Sequence, residues 1–216
     1  MKVVSGLLAI SSARARFDSS GRLILAAAIG LVAGALTEWS APYLPFVLEP
    51  LANSAAPWIL VAFAVALSAR RTGESVMLAV ATLLALVVGF YVAEAHRGWT
   101  VSEHQVVLWS AASVAIGPLV GLAAGWFRYA GRTAGALGAG ALGGLVAGEA
   151  VYGLFVLKYW SPTQYWCVQF VLGVGLAVGL TLWRSRRHLL DSVPILAVSL
   201  AACTTIGLAT LIIYQI

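Results

Sequence analysis

Glu149 stands in the run GGLVAGEAVYGLFVLKYW, Gly143 to Trp160, an apolar stretch long enough to cross a bilayer. Lys158, nine residues on, marks a membrane interface. At 1.5 Å per residue this sets Glu149 about 13 Å below the surface, near the middle of a hydrocarbon core about 30 Å thick. Carboxylates are costly at that depth, so Glu149 is expected to face the inside of a helix bundle. Gly148 beside it lets another backbone approach, and Tyr152, at i+3, offers a hydroxyl on the same helical face. Two readings stay open: a proton, cation or ligand anchor, or a structural hydrogen bond to a neighbouring helix.

Glu94 and Glu38 fall near the ends of their apolar segments, where a carboxylate can also be held by interfacial water. Glu94 lies in AEAHRGW with His96 and Arg97. A Glu and a His two residues apart point to different faces of a helix, so no metal site is expected there. Five of the eight tryptophans, Trp39, Trp58, Trp99, Trp160 and Trp166, collect toward the same side. An interfacial aromatic belt accounts for most of them. A few, with Trp58 the candidate, would line a cavity and stack on a ligand or stabilise a cation. The candidate ligand-binding set is therefore Glu149, Tyr152, Glu94, Glu38 and Trp58.

No cofactor is expected. Gly138, Gly140 and Gly143 match a G-x-G-x-x-G spacing, but they fall inside a membrane segment rather than after a strand. There is no phosphate-binding loop, so any use of ATP would need a partner ATPase. G-x-S-x-G and H-E-x-x-H are absent as well. The two aspartates, Asp18 and Asp191, give no aspartate-rich diphosphate motif. Cys167 and Cys203 lie at different depths in separate segments and read as packing residues rather than a disulfide.

The elements that position these groups follow from composition. Of 216 residues, 61% are hydrophobic and 10% charged, against about 25% charged in a soluble domain. Lipid is the solvent that suits such a chain. The net charge of +5 does not argue for nucleic acid, because the basic residues sit at the ends of apolar segments. Seven segments are predicted as membrane helices: roughly 22–40, 54–70, 75–95, 105–127, 133–157, 164–183 and 190–214. They form an all-α integral membrane bundle, 22–216, behind a basic cytoplasmic tail, 1–21. Asn53 or Ser54 reads as the N-cap of the second helix. The preceding SAPYLPFVLEPLANS, with Pro42, Pro45 and Pro50, reads as a partly buried cap over the outer face.

Eleven of the thirteen Lys and Arg fall in the tail or in alternate loops, leaving Arg97 and Lys158 on the other side. Basic short loops stay in the cytoplasm, so the N-terminus is expected inside and the C-terminus outside. Glu38, Glu94 and Glu149 recur at intervals of 56 and 55 residues. That suggests three helical hairpins plus one helix; evenly sized helices without a true repeat give the same spacing. Glycines at Gly30/Gly34, Gly117/Gly121/Gly125, Gly140/Gly144/Gly148 and Gly175/Gly179 predict close helix contacts within the bundle, or a homo-oligomer seam on one of them.

The segments LANSAAPWILVAFAVALSARR, GEAVYGL and SPTQYW resemble an uncharacterised family of small multi-pass membrane proteins common in actinobacteria. The family carries a domain-of-unknown-function label, and the resemblance runs from about Leu23 to the last helix. It implies a multi-pass fold in a bacterial plasma membrane and no activity or catalytic residue. Function is left to the residues. A site for binding or transporting a small molecule in the outer half of the bundle is the leading reading. The alternatives are an acid-initiated, terpene-cyclase-like membrane enzyme and a ligand-free accessory or assembly factor.

Overall fold

The computed structural model describes residues 19–157, 160–185, 195–201 and 203–205. Lys158, most of the tail and the arginines at 186 and 187 lie outside them. So do Asp18, Asp191 and most of the last expected span. The described residues are helical with short connections, and no strand occurs among them. Six helices make the bundle: α1 (Ser19–Ser40), α2 (Ala55–Ala66), α3 (Thr72–His96), α4 (Glu103–Tyr129), α5 (Arg132–Phe155) and α6 (Thr163–Ser185). A shorter apolar helix, Ile195–Thr205, falls in the seventh expected segment.

Five of the six, all but α2, are long and apolar enough to cross a membrane. Each starts and stops within a few residues of its expected limits because local chemistry punctuates the apolar runs. Ser102 caps α4 by accepting from the Gln105 N–H at 3.5 Å. Gly98, at φ 81°, ends α3 in the left-handed conformation that favours glycine. The Trp99 and Gly98 N–H groups then close back on the carbonyls of Glu94 and Ala95, at 3.2 and 3.0 Å.

The second expected span, 54–70, takes a different form. Its α-helix has only 12 residues, about 18 Å of rise. A 3-10 helix, Phe46–Ala52, precedes it at an angle of 53°, and together the pair is long enough to make one broken span. Ser54 sits at the break in an extended conformation and accepts from the Ala56 N–H at 3.3 Å. The proline-rich segment is thus only partly a cap: Tyr43 and Phe46 are exposed, while Pro50 and Ala52 are buried at the approach to α2.

α2 buries one face in the core. Ala55, Ile59, Ala62, Phe63 and Ala66 are buried at helical spacing. They pack against Leu83 and Leu86 of α3, Val120 and Phe127 of α4, and Leu142 and Leu145 of α5. α3 packs on α4, and α5 packs on α6, as hairpins. The expected first hairpin is not formed: α1 lies along α3 and touches α2 little, because its glycine face fits α3. Large apolar residues such as Ile24, Val32 and Leu36 on α1, and Val168, Val171 and Leu172 on α6, are left exposed. That is the outward surface a lipid-embedded bundle presents.

The glycine faces are mostly used within the chain. Gly30 and Gly34 meet α3, and Gly117, Gly121 and Gly125 meet Val80, Val76 and Thr72 of α3. Gly140, Gly144 and Gly148 are buried in α5. At Gly175 and Gly179 no other element of the described residues stands within 4 Å of a side chain added at either. Cys167 is exposed and Cys203 buried, and both are free thiols.

Candidate functional site

The first turn of α2 begins inside the bundle, and this decides what Glu149 does. The leading N–H groups of a helix have no partner within it, and no water is at hand in a membrane interior to satisfy them. Glu149, on α5 and 4% exposed, supplies the acceptors. Its Oε1 accepts from the Ala55 N–H at 2.6 Å. Its Oε2 accepts from the Ala56 N–H at 2.8 Å, the Ser54 hydroxyl at 2.9 Å and the Gln169 amide of α6 at 3.0 Å. Gln169 also donates to the Val146 carbonyl at 3.2 Å. The carboxylate therefore ties three helices together and faces the positive end of the α2 dipole. Tyr152, one turn further on, is half-buried.

Glu38 is also occupied. Its carboxylate pairs with the Arg97 guanidinium at 2.9 Å, and Arg97 donates in addition to the Glu38 carbonyl at 3.0 Å. The pair joins the last turn of α1 to the end of α3. At the opposite end of the bundle a matching tie was not singled out from the sequence: Glu74, 5% exposed, pairs with Arg22 and accepts from the Arg70 N–H at 2.7 Å. Tyr129 donates to the Ala69 carbonyl and Arg184 to the Ala130 carbonyl at this same end. Six of the seven described arginines, all but Arg97, belong to it.

Glu94 differs from the other three. Its Oε2 is buried and has no hydrogen-bond partner among the described residues. It faces a cavity of about 290 Å³ formed where the break before α2, the last turns of α3 and the first turns of α4 meet. Ser54 and Ala55, the residues held by Glu149, form part of its wall; Glu149 itself lies behind them. Asn53, Ser102 and Gln105 contribute polar groups.

The remaining wall is aromatic. Trp58 meets Phe90 edge-on at 5.7 Å between ring centroids and Trp109 at 6.1 Å with planes tilted by 58°. Phe90 meets Tyr91 at 5.3 Å and 80°. All four rings are half-buried and all line the cavity. The Trp58 indole N–H reaches the Thr37 hydroxyl at 3.4 Å, which fixes the ring from the α1 side. Trp39, Trp99 and Trp160 are exposed, as a belt requires, whereas Trp166 is buried against Tyr165.

Of the candidate set, the structure brings Glu94 and Trp58 to one cavity, puts Glu149 behind its wall, and pairs Glu38 with Arg97. Phe90, Tyr91, Trp109, Gln105 and Gln169 were not singled out in the sequence. The adjacent aromatics Phe90 and Tyr91, one turn before Glu94, were the available signal. No group of three metal-ligating side chains occurs among the described residues.

No curated protein and no solved structure matches the chain. A family model matches residues 14–213, nearly the whole of it, and by that match the chain belongs to the family of unknown function DUF6518.

Proposed function

We propose that this multi-pass protein binds a small molecule in the outer half of its bundle and carries it toward the other side. The observation that supports the reading is the cavity at the break before α2. Transporters place their sites at such interruptions, where irregular backbone is tolerated because it lines a cavity. A volume of about 290 Å³ is at the low end for small-molecule sites, roughly 300–1,000 Å³, so the solute is small. Glu94 and Trp58 contact it in this reading, while Glu149 and Glu38 position the walls. Glu149 is disfavoured as the acid of an acid-initiated enzyme, because it lies behind Ser54 and Ala55 rather than in the cavity wall.

The test is a thermal-shift panel of small amines, carboxylates and neutral polyols on the purified protein, run beside Gln105→Trp. The added indole should fill the cavity from its rim. At least one solute is expected to raise the melting temperature of the wild type and not of the plugged variant. If every solute treats the two proteins alike, the cavity is not a binding site.

Orientation belongs to the same reading. The arginine-rich end is assigned to the cytoplasm by the positive-inside rule, and a bacterial plasma membrane is the compartment favoured by the resemblance noted above. Reporter fusions in the α4–α5 turn should then behave as cytoplasmic, and fusions after Ile216 as external. A cytoplasmic C-terminus would mean that the segment 190–214 does not cross.

A further inference from the structure

We propose that the cavity takes a small alkylammonium cation, with the Glu94 carboxylate as its counter-ion and Trp58, Phe90, Tyr91 and Trp109 as its walls. The inference rests on the small-molecule reading above and names its ligand class.

Three features converge on it. The first is the unpartnered oxygen of Glu94. A buried carboxylate oxygen without a donor is rare in folded proteins, and a cation in the cavity that Glu94 lines would balance the charge of this carboxylate. The second is the wall. Four rings tilted against one another offer π faces in different directions, and the faces of tryptophan, tyrosine and phenylalanine attract cations. No group of three His, Cys, Asp or Glu side chains gathers here among the described residues, so this wall suits an organic cation better than a metal ion.

The third feature is the α2 N-terminus. Left open, a helix start that borders a cavity attracts anions. Here Glu149 already accepts from both Ala55 and Ala56, so this positive end is neutralised from behind the wall. The C-terminal end of α3, which carries Glu94, adds partial negative charge on the same side. Among the lining residues Glu94 is the one with a formal charge. An anionic solute therefore meets a carboxylate and no cation in the wall, while a cation meets both the carboxylate and the rings.

The quaternary ammonium of a phosphatidylcholine headgroup and a free soluble amine share this chemistry, so the probe must separate them. Choline and its uncharged isostere 3,3-dimethylbutan-1-ol are titrated calorimetrically against the protein in phosphatidylglycerol nanodiscs. Discs containing phosphatidylcholine form a second arm. Choline should bind and the isostere should not. Glu94→Gln should weaken choline about tenfold or more, and Trp58→Leu or Trp109→Leu by a comparable factor. Loss of choline binding only when phosphatidylcholine is present would identify the headgroup as the competing source and support the ligand class.

Equal binding of choline and the isostere would overturn the cation assignment while leaving the small-molecule site standing. So would binding of a carboxylate or polyol that Gln105→Trp abolishes while choline stays inert. If choline is inert and no panel solute distinguishes the plugged variant, both readings fall. Two tryptophan variants and a charge-only variant are used so that misfolding of one cannot imitate loss of the site.

Discussion

Glu149→Gln should melt well below the wild type, yet each folded molecule should bind solute as before. Four donors converge on the two oxygens of this carboxylate: the N–H groups of Ala55 and Ala56, the Ser54 hydroxyl and the Gln169 amide. A glutamine keeps the shape but replaces one acceptor with a donor. Its least costly orientation puts the NH2 at the Oε1 position, facing the single Ala55 N–H, and leaves that group unpaired in a buried place. Such a loss costs about 1–3 kcal/mol, and the bonds that remain lose their charge assistance. Removing a buried charge works in the other direction. Here the helix N-terminus and the donors aimed at the carboxylate offset part of that burial cost, so the relief subtracts from the loss without cancelling it. A net loss of about 2 kcal/mol is expected for Gln, and about 3–5 kcal/mol for Glu149→Ala, which strands all four donors. Ser54→Ala combined with Glu149→Gln should cost less than the two separately, since they share one network. Binding should persist because Glu149 lies behind the cavity wall. An unchanged melting temperature with lost binding would return Glu149 to the position of ligand anchor and sink its capping role.

Much of the scaffold was legible in the sequence for a physical reason. Length and apolarity set where a helix must cross, and Ser102, Gly98 and the arginines at the helix ends mark where it stops, so the limits of α3 to α6 differ from expectation by three residues or fewer. That Glu149 faces the inside of the bundle was legible too, because a carboxylate in an apolar run is costly toward lipid. Its partner was not. Ser54 is 95 residues away, and nothing local shows that a proline-rich segment dips far enough to start a helix at the level of Glu149. The same limit hid the aromatic cage, whose rings come from α2, α3 and α4 and meet only after packing. Glu74 shows a different blind spot: surrounded by Arg70 and Arg71 in sequence, it looks like a solvated loop charge, while its actual partner is Arg22 on α1. The repeat suggested by Glu38, Glu94 and Glu149 describes their spacing but not their roles. One is paired with arginine, one lines the cavity with an oxygen that has no hydrogen-bond partner among the described residues, and one caps a helix.

Gly34→Ala should be strongly destabilising, and Gly175→Ala neutral or slightly stabilising, although both place one methyl group on a membrane helix. α1 and α3 approach through a reciprocal seam. A methyl carbon on Gly34 would stand 2.9 Å from the Leu86 carbonyl carbon, and one on Gly89 of α3 would stand 2.8 Å from the Leu31 carbonyl carbon. Gly30 is equally tight, 2.8 Å from the Ala85 methyl. At Gly34 and Gly89 the obstacles are backbone atoms, so no rotamer change can yield and the helices must separate. Overpacking of this kind costs about 1–3 kcal/mol for a single methyl, and Gly34→Leu should prevent α1 from docking at all. In lipid the loss is not recovered elsewhere, because close packing rather than a hydrophobic drive holds membrane helices together. The damage should also reach the cavity, since α1 carries Glu38 to Arg97 and Thr37 to Trp58. At Gly175 no atom of another described element lies within 4 Å of the added carbon. There the alanine brings only its better helix propensity, up to about 1 kcal/mol. Thermal unfolding of the two variants in one lipid environment, with solute binding measured on each, gives the comparison. Equal melting temperatures for Gly34→Ala and the wild type would show that α1 and α3 are not in backbone contact. A large loss at Gly175 would show that this face, too, is covered by another helix.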